Sequence, residues 1–315
     1  MKYDVLCAGG MVMDLLAGPV KTEMIFHGHA QAGSFSLQSG GDALNQAMIV
    51  KRLGGQVALV SQTGTDVFGN ALLDDCRKSG IDVSCVRQLD DGAINVAVVL
   101  VDESGERRFV GNRENDFKKM TADIFDFDQL PDARVFSFGS LFLFPFISYE
   151  ELASVFADAK SRGMITSLDV KIPRRGGVID DISSILQNVD YMFPNDEEAA
   201  MITGKSDLRS MADDFLLRGV KNIIIKTGGD GCFFKSAAEE FLSPALPGVN
   251  CIDTTGAGDS FIGAFLTALV EGKSHRDCCA FANAAASLTV EHVGALTGIK
   301  NRGLVDERFE KLKAL

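Results

Sequence analysis

Several features that would place a protein in a particular class are missing from this sequence. No apolar run approaches the ~18 residues that span a membrane, and the N-terminal residues lack the profile of a signal peptide. The four histidines form no His-Glu-x-x-His pattern, which argues against a zinc site. The seven cysteines are scattered without a Cys-x-x-Cys pair, as expected for buried thiols in a reducing compartment. We therefore expect a cytoplasmic protein.

Positive charge is also scarce. Lys and Arg number 31 against 43 Asp and Glu, which gives a formal net charge of -12 and argues against nucleic acid or an anionic membrane as the main partner. An acidic protein that handles phosphates must concentrate positive potential locally, in backbone amides, a few basic side chains and a metal ion. Only seven prolines, 46% hydrophobic residues and no linker or repeat predict one α/β domain over residues 1–315.

One glycine-containing motif lies near the C-terminus. Asp-Thr-Thr-Gly-Ala-Gly-Asp occupies residues 253–259, between a strand-like segment at 248–252 and an apolar run with helical spacing. The unpaired amides of Gly256, Ala257 and Gly258 at a helix start predict an anion site. Asp259, in the first turn, is then placed to take a proton from a nucleophile that attacks a terminal phosphate. The alternative is a glycine-rich helix cap with an ordinary capping carboxylate.

A second motif, Gly40-Gly41-Asp-Ala-Leu-Asn45, begins another predicted helix that ends at Gly54-Gly55. Its glycines permit close approach of a ligand, and the Asn45 amide can both donate to and accept from the hydroxyls of a polyol. Asp14 follows the first buried strand, where a ligand crevice is expected. We interpret Asp14 as a substrate-binding residue, with a plain turn residue as the alternative.

Two β-like patches, at about 11–38 and 92–113, interrupt an otherwise regular alternation of strands and helices. They predict a small inserted sheet, with a hairpin turn at 103–106. Such a sheet is a candidate lid, because phosphoryl transfer must exclude water. A decorative or dimerising sheet is the alternative. Asn112, Arg113 and Asn115 on the lid side are candidates to reach a substrate.

The second half of the chain offers candidates for phosphate, metal and nucleotide contacts. Lys171 and Arg174 follow a predicted strand that ends at Asp169, and they suit phosphate or a solvated loop. Asn195 and Glu198 at a helix start suit a hydrated Mg²⁺, although acidic first turns are also ordinary capping. Residues 227–231 form a tight turn whose backbone can follow a nucleotide. Two helices, 256–271 and 274–289, are predicted to close the chain.

In these motifs the sequence resembles the PfkB family of ribokinase-like carbohydrate kinases, over essentially its whole length. The positions that match are the sugar signature at Gly40, Gly41 and Asn45, the second signature at 253–259, the Asn-x-x-Glu element at Asn195 and Glu198, the nucleotide turn with Thr227, Gly229 and Gly231, and the adenine-pocket positions Asn283 and Gly294. The resemblance implies a three-layer α/β/α fold with a mostly parallel central sheet and a small β lid that often makes dimer contacts.

The resemblance also implies roles. Asp259 would be the general base, residues 256–258 the anion hole, Glu198 a contact to Mg²⁺ through water, and ATP the phosphate donor. A monovalent cation such as K⁺ near Asp253, and a homodimer through the lid, are further expectations. Two positions depart from the family pattern: Asp42, where ribokinases often carry a lysine, and Lys171, where the family's Asp-x-Asn element has asparagine.

Several functions stay open at this point. The leading one is an ATP-dependent kinase acting on a primary hydroxyl of a sugar or sugar acid. A nucleoside kinase would need an aromatic clamp, for which Phe26, Phe35 and Phe109 are available. A phosphosugar kinase is disfavoured by the few basic residues in the lid. A catalytically silent sugar-binding member is the alternative from another class. A dinucleotide oxidoreductase is disfavoured, because Gly9-Gly10 does not form Gly-x-Gly-x-x-Gly.

Overall fold

The computed structural model describes residues 3–21, 31–90, 95–103, 107–111 and 116–315. Phe26, Asn112, Arg113, Asn115 and most of the hairpin turn at 103–106 lie outside these ranges. The strands are β1 (Tyr3–Ala8), β2 (Val12–Val20), β3 (Ala32–Gly40), β4 (Val57–Gly64), β5 (Val86–Leu89), β6 (Val96–Val101), β7 (Arg107–Gly111), β8 (Ala133–Leu141), β9 (Ile165–Val170), β10 (Tyr191–Met192), β11 (Asn222–Lys226), β12 (Cys232–Ser236) and β13 (Glu240–Ser243).

The described α-helices alternate with these strands over most of the chain. They are α1 (Asp42–Arg52), α2 (Val67–Lys78), α3 (Tyr149–Ser161), α4 (Ser183–Leu186), α5 (Asp196–Thr203), α6 (Leu208–Leu217), α7 (Ala257–Val270), α8 (His275–Thr289) and α9 (Arg302–Lys313). Short 3₁₀ segments occur at Asp116–Lys119, Ala122–Phe125 and Gly228–Asp230. Among the residues described, no helix is long and apolar enough to cross a membrane.

The nine-stranded main sheet has the order β13-β12-β11-β10-β9-β8-β1-β4-β5. Every neighbouring pair from β11 to β5 is parallel, and only β12 and β13 join through antiparallel pairs. This arrangement follows from the chain order, because helical crossovers join parallel strands. The predicted mostly parallel sheet is confirmed.

Each face of the main sheet is covered by its own hydrophobic cluster. In β1, Val5 and Cys7 belong to one cluster, while Leu6 and Ala8 belong to the other, as the alternation of side chains along a strand requires. Helices α1, α2, α7, α8 and α9 contribute to the first cluster and α3, α4, α5 and α6 to the second. The result is the predicted three-layer arrangement, with buried residues on both faces of the sheet.

The predicted small sheet is present as four strands in the order β3-β2-β6-β7. Strands β2 and β6 are parallel in the centre, and β3 and β7 flank them in antiparallel pairs. Strand β3 continues to Gly40, two residues past the predicted segment. Only Gly9, Gly10 and Met11 separate β1 of the main sheet from β2 of the small one.

Two expectations about the C-terminal region were wrong. Residues 248–252 form no strand, because Gly248 has φ +76° and the Ile252 amide donates to the Val290 carbonyl (2.7 Å) instead of to a neighbouring strand. A third helix, α9, follows the two predicted closing helices. Its start is capped by Asn301, whose side chain accepts from the Leu304 amide, and Val305 and Phe309 join the first hydrophobic cluster.

Candidate active site

A cleft of about 970 Å³ lies at the carboxyl ends of the parallel strands and beside the beginnings of α1 and α7. It brings together most of the residues proposed from the sequence. Those that line it are Asp14, Gly41, Asn45, Lys171, Asn195, Glu198, Gly229, Gly231, Gly256, Ala257, Gly258, Asp259 and Asn283.

Arg174 does not line the cleft, and neither do three residues of the motifs, Gly40, Thr227 and Gly294. A side-chain carbon on Gly40 would lie 2.8 Å from Oδ2 of Asp14, so the glycine leaves room for that carboxylate. The Thr227 amide donates to the Gly231 carbonyl (2.9 Å), and the Gly294 amide donates to Oδ2 of Asp253 (2.6 Å). Each therefore contacts a neighbouring segment of the site.

Asp259 lies in the first turn of α7 and is 7% exposed. Nδ2 of Asn45, from α1, donates to its Oδ2 over 2.7 Å. The pKa of Asp259 is raised to about 7, first by burial and then by the carboxylate of Asp42, against the lowering effect of Lys171. A carboxyl group with a pKa near the working pH suits a general base.

The loop before α7 forms the candidate anion site. Gly256 has φ +75°, and a side-chain carbon there would overlap Ala295, so the position requires glycine. The Ala257 amide donates to the Thr254 carbonyl (3.2 Å) and is therefore engaged. Within the described residues, the amides of Gly256 and Gly258 make no such backbone bond. A carbon built on Gly258 would lie 3.3 Å from Nζ of Lys226, which puts an ammonium group beside this loop.

Two ion pairs order the charges in the cleft. Nζ of Lys171 lies 3.3 Å from Oδ1 of Asp42, and Nζ of Lys226 lies 3.3 Å from Oδ1 of the buried Asp169. Among the described lining residues two carry ammonium groups and six carry carboxylates: Asp14, Asp42, Asp169, Asp196, Glu198 and Asp259. The cleft is therefore acidic as a whole, with its positive charge held at two fixed places.

Asn195 and Glu198 close the N-terminus of α5 as a capping box. Oδ1 of Asn195 accepts from the Glu198 amide (2.7 Å), and Oε2 of Glu198 accepts from the Asn195 amide (2.8 Å). Glu198 also lines the cleft at 5% exposure, and its pKa is raised by burial and by Asp169 while Lys226 lowers it. Ordinary capping and exposure to a ligand thus coexist in the same pair.

The opposite end of the cleft is more apolar. Its lining there includes Ala245, Leu246, Pro247, Val249, Ala286 and Val290. Asn283 faces this end, but its Nδ2 donates to the carbonyls of Ser243 and Pro244 (3.1 Å each), so it holds the adjoining loop. A side-chain carbon on Gly231 would overlap the Ser243 carbonyl, which explains the glycine by packing. The shape and chemistry suit a flat heterocycle.

Sequence reasoning missed the lining residues Lys226 and Ser140 and the pairing of Asp42 with Lys171. Lys226 ends β11 directly before the glycine turn, and a basic residue at that point was the available signal. Ser140 offered no signal, because its conformation depends on how β8 meets β9. No group of three His, Cys, Asp or Glu side chains arranged to hold a metal occurs in the described part of the chain.

The chain is similar to known proteins over nearly its whole length. The family model described as pfkB family carbohydrate kinase matches residues 2–302. Ribokinase of Schizosaccharomyces pombe is 28% identical, with 98% of this chain and 99% of the relative covered. Fructokinase-1 of Zea mays is 30% identical, with 90% of this chain and 91% of the relative covered.

Solved structures share the fold. Arabidopsis thaliana ribokinase, complexed with ribose and ATP, matches with a TM-score of 0.79 at 24% identity, covering 98% of this chain and 99% of that one. An Escherichia coli protein provisionally named ribokinase II, in complex with ATP and Mg²⁺, matches with a TM-score of 0.85 at 24% identity, again covering 98% of this chain and 99% of that one. The ribokinase-like fold expected from the sequence is confirmed.

Proposed function

This chain belongs to the pfkB family of carbohydrate kinases, and we propose that it transfers the γ-phosphoryl group of ATP to a hydroxymethyl group of a sugar or sugar acid. The observation that carries the proposal is the hydrogen bond from Asn45 to Asp259 beside the loop at 256–258. It joins the motif at residues 40–45 to a base with a pKa of about 7 at the anion site.

Asp259 acts as the general base. Its Oδ2 is engaged by Asn45, which fixes the carboxylate while Oδ1 takes the proton of the acceptor hydroxyl. The acceptor oxygen then forms its bond to the γ-phosphorus as the bond from that phosphorus to the bridging oxygen breaks, and ADP leaves with the electron pair. The proton remains on Asp259 until it passes to solvent. Such a reaction requires positioning and charge stabilisation more than covalent catalysis.

Negative charge on the transferring group meets the amides of Gly256 and Gly258 and the ammonium of Lys226. The α7 macrodipole adds to this potential. Asp169 holds Lys226 in place, because its buried carboxylate forms an ion pair with the Lys226 ammonium. Lys171, held by Asp42, supplies the second cation for the phosphates. The engaged Ala257 amide contributes to the shape of the loop.

The acidic cleft also fits a hydrated Mg²⁺. Glu198 and Asn195 present oxygen ligands of the type that Mg²⁺ prefers, and their mutual capping leaves Oε1 of Glu198 for a metal-bound water. When bound, Mg²⁺ would neutralise phosphate charge that the carboxylates otherwise repel. The absence of a three-carboxylate cluster among the described residues is compatible with an ion held mainly by water and phosphate.

The acceptor end of the cleft is assigned to Asp14, Gly41 and Asn45. A side-chain carbon on Gly41, which has φ +99°, would lie 2.6 Å from the Gly10 carbonyl, so this glycine lets the β1–β2 connection pack on the start of α1. Asp14 reaches the same space from β2 of the small sheet. We assign this sheet as a lid, because it adds a polar group to the acceptor end from above the main sheet.

The choice between a sugar and a sugar acid depends on charge. Asp14, Asp42 and Asp259 surround the acceptor end, and the single cation among its described residues, Lys171, is already paired with Asp42. These carboxylates favour an uncharged sugar. Arg113, outside the described ranges, is the candidate partner for the carboxylate of a sugar acid. A 2-dehydro-3-deoxygluconokinase of Bacillus subtilis is 25% identical over 88% of both chains. For this reason a sugar acid is included among the acceptors to be tested.

We also propose a homodimer through the small sheet. Phe35 and Leu37 on β3 and Val110 on β7 are 69%, 54% and 61% exposed, which is unusual for large apolar side chains grouped on one sheet. Sedimentation should give a dimer for the wild type and a monomer for Phe35→Ser combined with Leu37→Ser. A wild-type monomer at micromolar concentration would contradict the assignment.

The function is tested by ADP release with ATP and Mg²⁺ across ribose, fructose, 2-dehydro-3-deoxygluconate, nucleosides and sugar phosphates. We expect turnover with one sugar or sugar acid, and a loss of about 10²-fold or more in Asp259→Asn with ATP binding retained. Turnover that survives in Asp259→Asn would remove this residue as the base. Turnover with a nucleoside alone would replace the sugar kinase by a nucleoside kinase, and none at all would favour the silent binding protein.

A further inference from the structure

The turn that begins at Ser140, within the last residues of β8, contains unusual backbone. Among the described residues other than glycine, Ser140 (φ +65°) and Phe142 (φ +81°) have left-handed backbone, and both lie in this turn. The Leu143 amide donates to the Ser140 carbonyl (3.1 Å) and closes the turn. Residues with a side-chain carbon pay an energetic penalty in this region, so such conformations persist where something else depends on them.

A β-bulge places Ser140 at the cleft. Phe138 pairs with Leu168 and Leu141 pairs with Val170, so two residues of β8, Gly139 and Ser140, stand opposite Asp169 of β9. An extra residue of this kind turns a side chain out of its regular alternation, and bulges of this type occur next to active sites. Ser140 accordingly lines the cleft although it is 1% exposed.

The Ser140 hydroxyl is buried and has no hydrogen-bond partner among the described residues. Buried hydroxyls are normally paired, because an unpaired one loses its bonds to water. Ser137, three residues earlier on β8, shows the ordinary case: its Oγ donates to Oε1 of Gln46 over 3.0 Å. Ser140 therefore combines an unsatisfied polar atom with a strained backbone at the wall of the cleft.

The position of Ser140 indicates which ligand it meets. A side-chain carbon on the preceding Gly139 would lie 3.4 Å from both the Ala43 amide and the Cβ of Asp42, at the start of α1. This is the acceptor end, where Oδ1 of Asn45 is likewise buried and without a partner in the described chain. A hydroxyl that can donate and accept matches the hydroxyls of a sugar.

We propose that the Ser140 hydroxyl is a hydrogen-bond ligand of the acceptor sugar, and that the bulge and strained turn after β8 serve to aim it into the cleft. The inference rests on the proposed kinase function and adds a specificity-determining residue to it. It assigns one hydroxyl of the acceptor, other than the phosphorylated one, to Ser140.

The test compares Ser140→Ala and Ser140→Gly with the wild type, using whichever of ribose, fructose and 2-dehydro-3-deoxygluconate is phosphorylated. Both variants remove the hydroxyl, but only glycine relieves the left-handed backbone. We expect KM for the acceptor to rise about fivefold to a hundredfold in both, with KM for ATP unchanged. Ser140→Gly should unfold at a higher temperature than Ser140→Ala. Ser137→Ala is the matched control, with a lower unfolding temperature and an unchanged acceptor KM.

Deoxy analogues of the same sugar locate the contact. One analogue should lose affinity for the wild type and no further affinity for Ser140→Ala, because both changes remove the same bond. An acceptor KM in both Ser140 variants equal to that of the wild type would overturn the inference and leave the kinase function intact. Equal losses for every analogue in wild type and Ser140→Ala would also overturn it. No turnover of the wild type with any of the three sugars would remove the proposed function and this inference with it.

Discussion

Asp42 and Lys171 act on the pKa of Asp259 in opposite directions, so replacing either should move the pH dependence of turnover. Burial raises this pKa most, the Asp42 carboxylate raises it further, and the Lys171 ammonium lowers it, with a resulting value of about 7. In Asp42→Asn the raising charge is gone, and Lys171 also loses the partner 3.3 Å away that offsets its own charge. Both effects lower the pKa of Asp259. In Lys171→Met the pKa should rise.

The magnitude follows from the ionised fraction of the base. With a pKa of about 7, roughly one hundredth of Asp259 is ionised at pH 5, so turnover there should be about 1% of the rate at pH 9. Lowering that pKa by about 1, the low end of what a neighbouring charge does, raises the ionised fraction at pH 5 about tenfold. Asp42→Asn should therefore retain about 10% of its own maximal rate at pH 5.

The assay is kcat/KM for the acceptor between pH 5 and 9 at saturating ATP and Mg²⁺. We expect a midpoint of the acid limb near 7 in the wild type, below it in Asp42→Asn and above it in Lys171→Met. Asp196→Asn removes an equal charge from an exposed cleft residue outside the groups that shift Asp259, and its midpoint should stay that of the wild type. Midpoints that coincide in all four proteins would refute the coupling of Asp42 to Asp259.

Three further predictions concern Asp259 and the loop before α7. Because the folded-state pKa of Asp259 lies above the ordinary 3.8, the stability it contributes is present at acid pH and lost as pH rises through 7. In urea unfolding, the free energy of unfolding of Asp259→Asn should exceed that of the wild type by up to about 4 kcal/mol at pH 8 and by almost nothing at pH 4. An equal difference at both pH values would contradict this. Gly256→Ala, whose side chain overlaps Ala295, should lower the unfolding temperature and turnover. Gly163→Ala, at φ +76° in open space, should lower the free energy of unfolding by only about 1 kcal/mol, from backbone strain. Equal losses of stability in the two variants would assign the effect to φ alone. Lys226→Met should lower kcat about 10²-fold or more, and it should destabilise the protein because Asp169 stays buried without its partner. Adding Asp169→Asn to this variant should restore stability but not turnover. Recovery of both would show that Lys226 is only structural.

The local parts of the site could be predicted because their chemistry lies within a few residues of sequence. Glycines and an aspartate at a helix start predict an anion site wherever the helix packs, and Gly256 is found at the N-cap of α7 with Asp259 in its first turn. Asn195 and Glu198 could not be divided between capping and ligand contact from the sequence. The structure shows why: the same two side chains cap α5 and face the cleft.

What could not be predicted depends on contacts between distant segments. The glycines at 40 and 41 are predicted from the sequence to admit a ligand, and the structure adds that Gly41 lies against the Gly10 carbonyl and Gly40 against Asp14. The sequence indicates that a small residue is needed at these two positions, but it does not indicate which group packs against them. The ion pair of Asp42 with Lys171 likewise joins α1 to the end of β9. Two departures from the family pattern, which looked unrelated in the sequence, are partners in space.

The bond between Asn45 and Asp259 joins residues 214 positions apart in the chain. A ribosome must therefore complete most of this protein before the proposed base, Asp259, and the Asn45 amide bonded to it can meet. Until then the N-terminal segments carry half of the proposed sugar site and none of the proposed phosphate site. Closing so long a loop comes late and depends on the intervening strands having paired. We therefore expect phosphoryl transfer only from the finished protein, in which both parts of the proposed site are present.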